Sequence, residues 1–284
     1  MSKKDKKDKK TKRTMADKAD RHALYQMAVQ CPEAEVYFFE KTFRELRGRE
    51  AKSLKEDFCG TALLATEWCK GDPERTAIGV DFDEETLQWG QKNNVDAAGK
   101  DVARRVALIK DDVRNVTEPR VDIVCAFNFS YCLFEKRDEL IEYFKQTHKS
   151  LKDDGLLVLD LFGGTECADV LEEETELEEA DATYIWEHVS FNPINNHMAC
   201  AIHFEFDDGS RMDKAFTYEW RLWAIPEVLE MLKEAGYAKT RVYWERYEET
   251  DEDDDELEGT GEYYETSEVD NQESWMIYIV AEPK

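Results

Sequence analysis

The sequence predicts an α/β protein built on a doubly wound, mostly parallel sheet, and three observations carry that expectation. Short apolar runs alternate with helical stretches from about residue 53 to residue 162, the grammar of βαβ units. Three successive predicted strands end in carboxylates: Glu56-Asp57, Asp81 and Asp111-Asp112. In an open α/β sheet those strand ends line the ligand crevice. Between the first strand and an apolar helix lies a short turn, Phe58-Cys59-Gly60-Thr61-Ala62. A turn that feeds a helix N-terminus presents unpaired backbone N–H groups to a ligand.

The elements follow in order. A helix over 17–29 carries Ala19, Ala23, Leu24, Met27 and Ala28 at helical spacing, and a second over 34–46 carries Val36, Phe39, Phe43 and Leu46 on one side. Both are expected to cover the crevice. Strand 54–57, helix 63–69, strand 76–81, helix 84–94, strand 105–109, strand 121–127, helix 137–150 and strand 156–162 then alternate. Past residue 162 the pattern changes. Segments 183–191, 197–206 and 211–220 are rich in aromatic and β-branched residues and are separated by the turns Asn192-Pro-Ile-Asn-Asn196 and Asp207-Asp-Gly-Ser210. They predict a three-strand antiparallel meander inserted after strand five. Pro226 opens a helix over 227–234, Gly236 caps it, and strands 239–247 and 275–280 form a final antiparallel hairpin. The expected partition is a disordered basic tail over 1–16, a helical cap over 17–52, a core over 53–162, an antiparallel insertion over 163–222 and a C-terminal helix and hairpin over 223–284.

A chain of 284 residues can bury roughly 70–75% of its unfolded surface without disulfide staples. No run of about 18 apolar residues predicts a membrane span, and the amino terminus has no apolar leader segment. Seven cysteines without CxxC pairs, with Cys59, Cys125 and Cys132 at core or turn positions, point to reduced thiols and a cytoplasmic protein. The net charge of −27 disfavours broad binding to nucleic acid. It is uneven. Residues 1–13 hold eight Lys or Arg against two Asp, whereas 172–179 holds six acids in eight residues and 248–256 eight in nine. Solvated, disordered acidic runs are the expectation for both segments. A field that concentrates a cationic substrate is the sharper alternative.

The pattern of motifs resembles the class I S-adenosylmethionine-dependent methyltransferases. That family carries an acid and then G-x-G-x-G after its first strand. Here Glu56 is followed by Phe58-Cys-Gly60-Thr-Ala62, so only the central glycine is kept. Asp81, in GVDFDEETL, matches the ribose-binding acid after strand two. Asp112, in IKDDVRNV, matches the acid that reads the adenine amino group, with the Val113 backbone completing the contact and Asp111 as its rival. Asn128, in VDIVCAFNFSY, falls in the fourth motif, beside the methyl group, and LKDDGLLVLDLF resembles the turn and fifth strand. The resemblance covers 53–162 and 239–282. It implies a seven-stranded Rossmann-like methyltransferase sheet, S-adenosylmethionine as cofactor and a small-molecule acceptor.

It also implies roles for single residues. Glu56, Asp57, Phe58 and Gly60 belong to the first motif. Asp81 takes the ribose hydroxyls in charge-assisted hydrogen bonds, and Phe82 lies against the adenine face or packs in the core. Tyr25 caps the methionine end of the cofactor or packs as an ordinary helix residue. Asn128-Phe-Ser-Tyr131 partly resembles the N-P-P-Y of amino-nitrogen methyltransferases, which makes Tyr131 an acceptor contact. Arg221 holds a substrate carboxylate or a nearby acid. His188 and His203 are either general bases or structural strand histidines. His197 and Cys200 form a close His/Cys pair, too few ligands for a zinc site. The expected reaction is methyl transfer to an amine nitrogen. A protein or nucleic-acid nitrogen methyltransferase, an NAD-dependent dehydrogenase (Leu63 stands where that fingerprint needs glycine) and a non-catalytic scaffold remain open on the residues.

Overall fold

The computed structural model describes residues 13–249 and 257–283. Two helices come first among the described residues, α1 (Arg21–Val29) and α2 (Pro32–Arg47). Asp20 caps α1 by accepting from the His22 and Ala23 N–H groups, and Pro32 starts α2 where its missing N–H costs nothing. The core follows: β1 (Ser53–Asp57), α3 (Leu63–Gly71), β2 (Thr76–Asp81), α4 (Glu84–Gly90), the short α5 (Lys100–Ala103), β3 (Val106–Lys110), β4 (Val121–Ala126), α6 (Arg137–Ser150) and β5 (Leu151–Gly163). The expected helix 84–94 is α4 continued by a π-turn over Gln91–Val95. The insertion holds β6 (Glu172–Leu177), β7 (Ala182–Asn192), β8 (His197–Phe206) and β9 (Arg211–Arg221). Then come α7 (Ile225–Ala235), β10 (Lys239–Glu249), β11 (Leu257–Glu265) and β12 (Trp275–Glu282).

The main sheet runs β11-β10-β12-β5-β4-β1-β2-β3. Strands β1 to β5 are mutually parallel, while β12 runs antiparallel between β5 and β10. The order reverses between β1 and β4, and a crevice opens beyond the carboxyl ends of strands at such a point. Apolar side chains cover both faces. Phe39, Phe43, Leu64 and Trp68 of α2 and α3 pack on one side. Leu140, Tyr143, Phe144, Val228 and Leu232 of α6 and α7 pack on the other. A four-stranded antiparallel sheet, β6-β7-β8-β9, forms the insertion. Its apolar face, with Ile202, Phe204 and Ala215, meets Leu24 and Tyr25 of α1.

Four expectations change. Among the described residues the main sheet has eight strands, not seven, because β11 adds to the β10 edge. The acidic run 172–179 is not a free loop: β6 pairs with β7 and buries Leu177 while its glutamates stay exposed. A charged edge strand pairs on one side only and resists further pairing on the other. The insertion is therefore a four-strand sheet. Residues 13–16 are ordered as well, with the Met15 N–H on Asp208 Oδ2 at 2.9 Å and the Ala16 N–H on Ser210 Oγ at 3.0 Å. The rest of the basic tail and most of the acidic run 248–256 lie outside the described residues.

Candidate active site

The turn after β1 builds the site. Phe58, Gly60 and Ala62, the three positions where the resemblance implies glycine, all take left-handed backbone, with φ of 58°, 50° and 53°. The turn keeps the glycine conformation with two side chains that favour it little, a strain of about 1–3 kcal/mol per residue. Three contacts hold Thr61 within it: Gln26 Nε2 donates to Thr61 Oγ1 at 2.6 Å, Asn94 Nδ2 donates to the Thr61 carbonyl at 2.8 Å, and Gly90 lies against its backbone. Gly60 donates its N–H to Asp81 Oδ2 at 2.8 Å, and Asp83 donates its N–H to Oδ1 at 2.9 Å. Asp83 itself caps α4 through the Thr86 N–H. Asp81 is thus fixed at the crevice with lone pairs remaining on both oxygens.

A cavity of about 460 Å³ opens there, lined by Phe58, Asp81, Phe82, Asp112, Val113 and, across from them, Tyr218 and Trp220 of β9. Phe82 is 69% exposed, so its ring is an uncovered platform rather than core. Asp112 is already engaged: it receives Arg114 Nη2 at 2.6 Å, Arg114 Nε at 2.9 Å and the Arg114 N–H at 2.9 Å. That pairing holds its carboxyl below the usual range. Asp111 bonds through Oδ1 to the Asp112 N–H and Asn115.

Five of the expected site residues are absent from the walls of both cavities; Gly60 is one, held behind them by its bond to Asp81, and the other four point elsewhere. Strand alternation sends Asp57 to the α6 face, where Lys55 pairs with it at 2.6 Å and the Tyr143 hydroxyl donates at 3.1 Å, with both charges buried. Glu56 points to the opposite face and accepts the Ala65 N–H of α3 at 2.9 Å. Tyr131 is fully buried and donates to the Asp160 carbonyl at 2.7 Å, so it cannot touch an acceptor. Arg221 lies 3.7 Å over the Trp223 ring and pairs with Glu227 at 3.1 Å. It serves the α7 junction. The histidines also have structural partners: His203 takes the Lys214 N–H on Nδ1 and faces Glu187 through Nε2 at 2.9 Å, and His188 Nδ1 lies 3.2 Å from the Asp169 carbonyl.

A second cavity of about 210 Å³ adjoins the first and shares Tyr218 and Trp220 with it. Its walls include Tyr25, Asn128, Tyr184 and Trp186. Asn128 and Phe129 both have left-handed backbone, φ 54° and 55°, and both N–H groups point at the Asp160 carboxylate, Phe129 at 3.0 Å. Successive N–H groups gathered in this way form a small anion nest. Tyr25 and Tyr218 share a hydroxyl hydrogen bond, and burial pushes both phenols up.

Three further carboxyls lie outside the lining of both cavities: Glu56, an expected site residue, and Glu35 and Asp160, which the sequence reading did not name as site residues. Burial, with Glu33 nearby, raises Glu35 of α2 to about 7. Burial likewise pushes Glu56 and Asp160 well above the ordinary range, and Glu35 lies within electrostatic reach of both and of Tyr25. Carboxyls whose pKa is raised by burial, short of cations, gain from a ligand that brings positive charge beside them. S-adenosylmethionine carries a sulfonium and an ammonium against one carboxylate, a net positive charge, so the residues present fit it. The missed wall residues Tyr184, Trp186, Tyr218 and Trp220 did have a signal, aromatic side chains at every second position of β7 and β9. Among the described residues no cluster of His, Cys, Asp and Glu is placed to hold a metal, and no helix is long and apolar enough to cross a membrane.

Comparison with known proteins agrees with this geometry. No family model matches the chain. A curated Bacillus subtilis (strain 168) protein named "Putative methyltransferase YqeM" is 25% identical over 193 residues, covering 65% of this chain and 72% of that protein. A solved S-adenosylmethionine-dependent methyltransferase from Clostridium acetobutylicum ATCC 824 superposes with a TM-score of 0.65 at 16% identity, over 92% of this chain and 96% of that one. CalS10 of Micromonospora echinaspora, an amino pentose methyltransferase solved with the cofactor bound, gives 0.64 at 14% identity, over 92% and 95%. The solved structures establish the fold, and the curated relative adds the same description at the level of sequence. The chain therefore has the fold of the class I S-adenosylmethionine-dependent methyltransferases and is similar in sequence to a protein named "Putative methyltransferase YqeM".

Proposed function

We propose that the chain methylates the nitrogen of a small-molecule amine. The observation that carries this reading is the pair of adjoining cavities with Tyr218 and Trp220 as their common wall. In this reading the larger cavity holds the nucleoside: Asp81 takes the ribose hydroxyls, Phe82 and Val113 flank the adenine, and Asp111 replaces the engaged Asp112 as acceptor for the base. Glu35, Glu56 and Asp160 balance the charge at the methionine end.

When bound, S-adenosylmethionine supplies an electrophilic methyl group for in-line displacement. The chain aligns the acceptor and excludes water, and orientation alone contributes roughly 7–11 kcal/mol. Asn128 lines the smaller cavity, where its side-chain amide can hold a polar group of the acceptor with the nitrogen lone pair turned toward the larger one. Neither cavity has a lysine or histidine among its described lining residues. An amine, nucleophilic once neutral, suits such walls better than a hydroxyl that must be deprotonated. The name of the amino pentose methyltransferase is in keeping with that choice.

Calorimetric titration with S-adenosylmethionine and, separately, NAD tests the cofactor, and a screen of amines against phenols then tests the acceptor. Micromolar binding of the methyl donor, with turnover of amines, is expected. Methylation of a phenol and of no amine would refute the acceptor assignment.

A further inference from the structure

The smaller cavity is an aromatic box. Six rings line it: Tyr25 of α1, Phe129 in the turn after β4, Tyr184 and Trp186 of β7, and Tyr218 and Trp220 of β9. The rings brace one another, with centroids 4.6 Å apart for Tyr218 and Trp220, 5.8 Å for Trp186 and Tyr218 and 5.9 Å for Trp186 and Trp220. Among the described lining residues the single charged side chain is Glu173, an acid on β6. Edge strand β6 lies beside β7 through the register Glu173 to Trp186, which brings that carboxylate to the rim. A box of π faces with one carboxylate and no cation of its own attracts positive charge and repels anions. It also offers alkyl groups an apolar surface that a bare ammonium, with its strongly held hydration, would not use.

We propose that this box binds an alkylated ammonium head, so that the acceptor is a tertiary amine without anionic groups and the product is a quaternary ammonium. The inference rests on the amine reading above and narrows it to one substrate class. The step balances without a base in the box. The tertiary ammonium gives its proton to water on entry, the freed lone pair forms the new N–C bond, the S–C bond of the donor breaks, and S-adenosylhomocysteine leaves with that electron pair. No proton remains on the product nitrogen to be removed. Tyr25, Tyr184 and Tyr218, the phenols of the box, are all held protonated by burial and suit no basic role. The quaternary product carries the permanent positive charge that the box attracts and binds it more tightly than the neutral amine does, so product retention follows.

Choline and its neutral isostere 3,3-dimethyl-1-butanol separate charge from shape. Titration of each into the full chain, read by tryptophan fluorescence, should show choline binding at least about tenfold more tightly. Trp186→Leu should weaken choline about tenfold and leave S-adenosylmethionine affinity within twofold, whereas Trp186→Phe should keep most of the choline binding. Equal binding of the two probes, or choline binding indifferent to Trp186→Leu in a folded variant, overturns the box. If Trp186→Leu does not fold, the probe pair in the wild type and in Glu173→Gln decides: Glu173→Gln should weaken choline alone. Failure of S-adenosylmethionine to bind the wild type would count against the methyltransferase reading instead, independently of the two probes.

Discussion

Gly60 donates its backbone N–H to the Asp81 carboxylate at 2.8 Å. The acid at the end of β2 therefore locks the turn after β1 in addition to facing the cavity. Asp81→Ala removes both functions, so S-adenosylmethionine affinity should fall tenfold or more and the midpoint of thermal unfolding should drop. Asp81→Asn keeps one acceptor for Gly60 and should retain the fold while still binding the cofactor more weakly. Calorimetry together with thermal unfolding checks the pair, and wild-type affinity in Asp81→Ala would refute the assignment.

Gly90 of α4 approaches the turn so closely that an added Cβ would lie 2.3 Å from the Thr61 carbonyl oxygen. Backbone stands on both sides of that contact, so one of the two segments must move. Gly90→Ala should cost about 1–3 kcal/mol and weaken the cofactor by displacing the turn. Urea denaturation and cofactor titration measure the two effects. A variant as stable as the wild type would show that the contact is looser than described.

Lys55 and Asp57 form a buried pair, and Lys55 Nζ also donates to the Val113 carbonyl beside the cavity at 3.3 Å. Lys55→Met leaves the Asp57 charge alone in the interior and should cost about 3–5 kcal/mol. Lys55→Met combined with Asp57→Leu should recover much of that loss, because no unpaired charge remains. A double-mutant cycle in denaturant tests this, and additive losses would argue against the pair.

The Glu35 carboxyl titrates at about 7 through burial and the neighbouring Glu33. Its folded pKa stands above its ordinary value, so ionising it costs the free protein stability as pH rises through that window. A cationic ligand reverses the preference by favouring the carboxylate. S-adenosylmethionine affinity should therefore rise between about pH 6 and pH 8. Glu35→Gln should flatten the profile. An unchanged profile in that variant would remove Glu35 from the cofactor site.

Much of this molecule was legible in the chain. The apolar periodicities and turn residues located β2, α6 and β8 to the residue, because these elements bury an alternating or helical face that the sequence must display. Asp81 and the turn around Gly60 were legible for a similar reason: a strand end and a tight turn are set by neighbours in sequence. The tertiary structure decided the remainder. Which way Glu56 and Asp57 face depends on the helices packed on each side of β1. Whether 172–179 pairs as β6 depends on β7, an edge partner reached through a turn. Asp112 is taken by Arg114, Tyr131 is sealed beneath β5, and the aromatic box joins α1, β7 and β9 across about 160–190 residues of chain. Contacts of that range are fixed by packing between elements, and a one-dimensional pattern carries only which faces are apolar, not which of them meet.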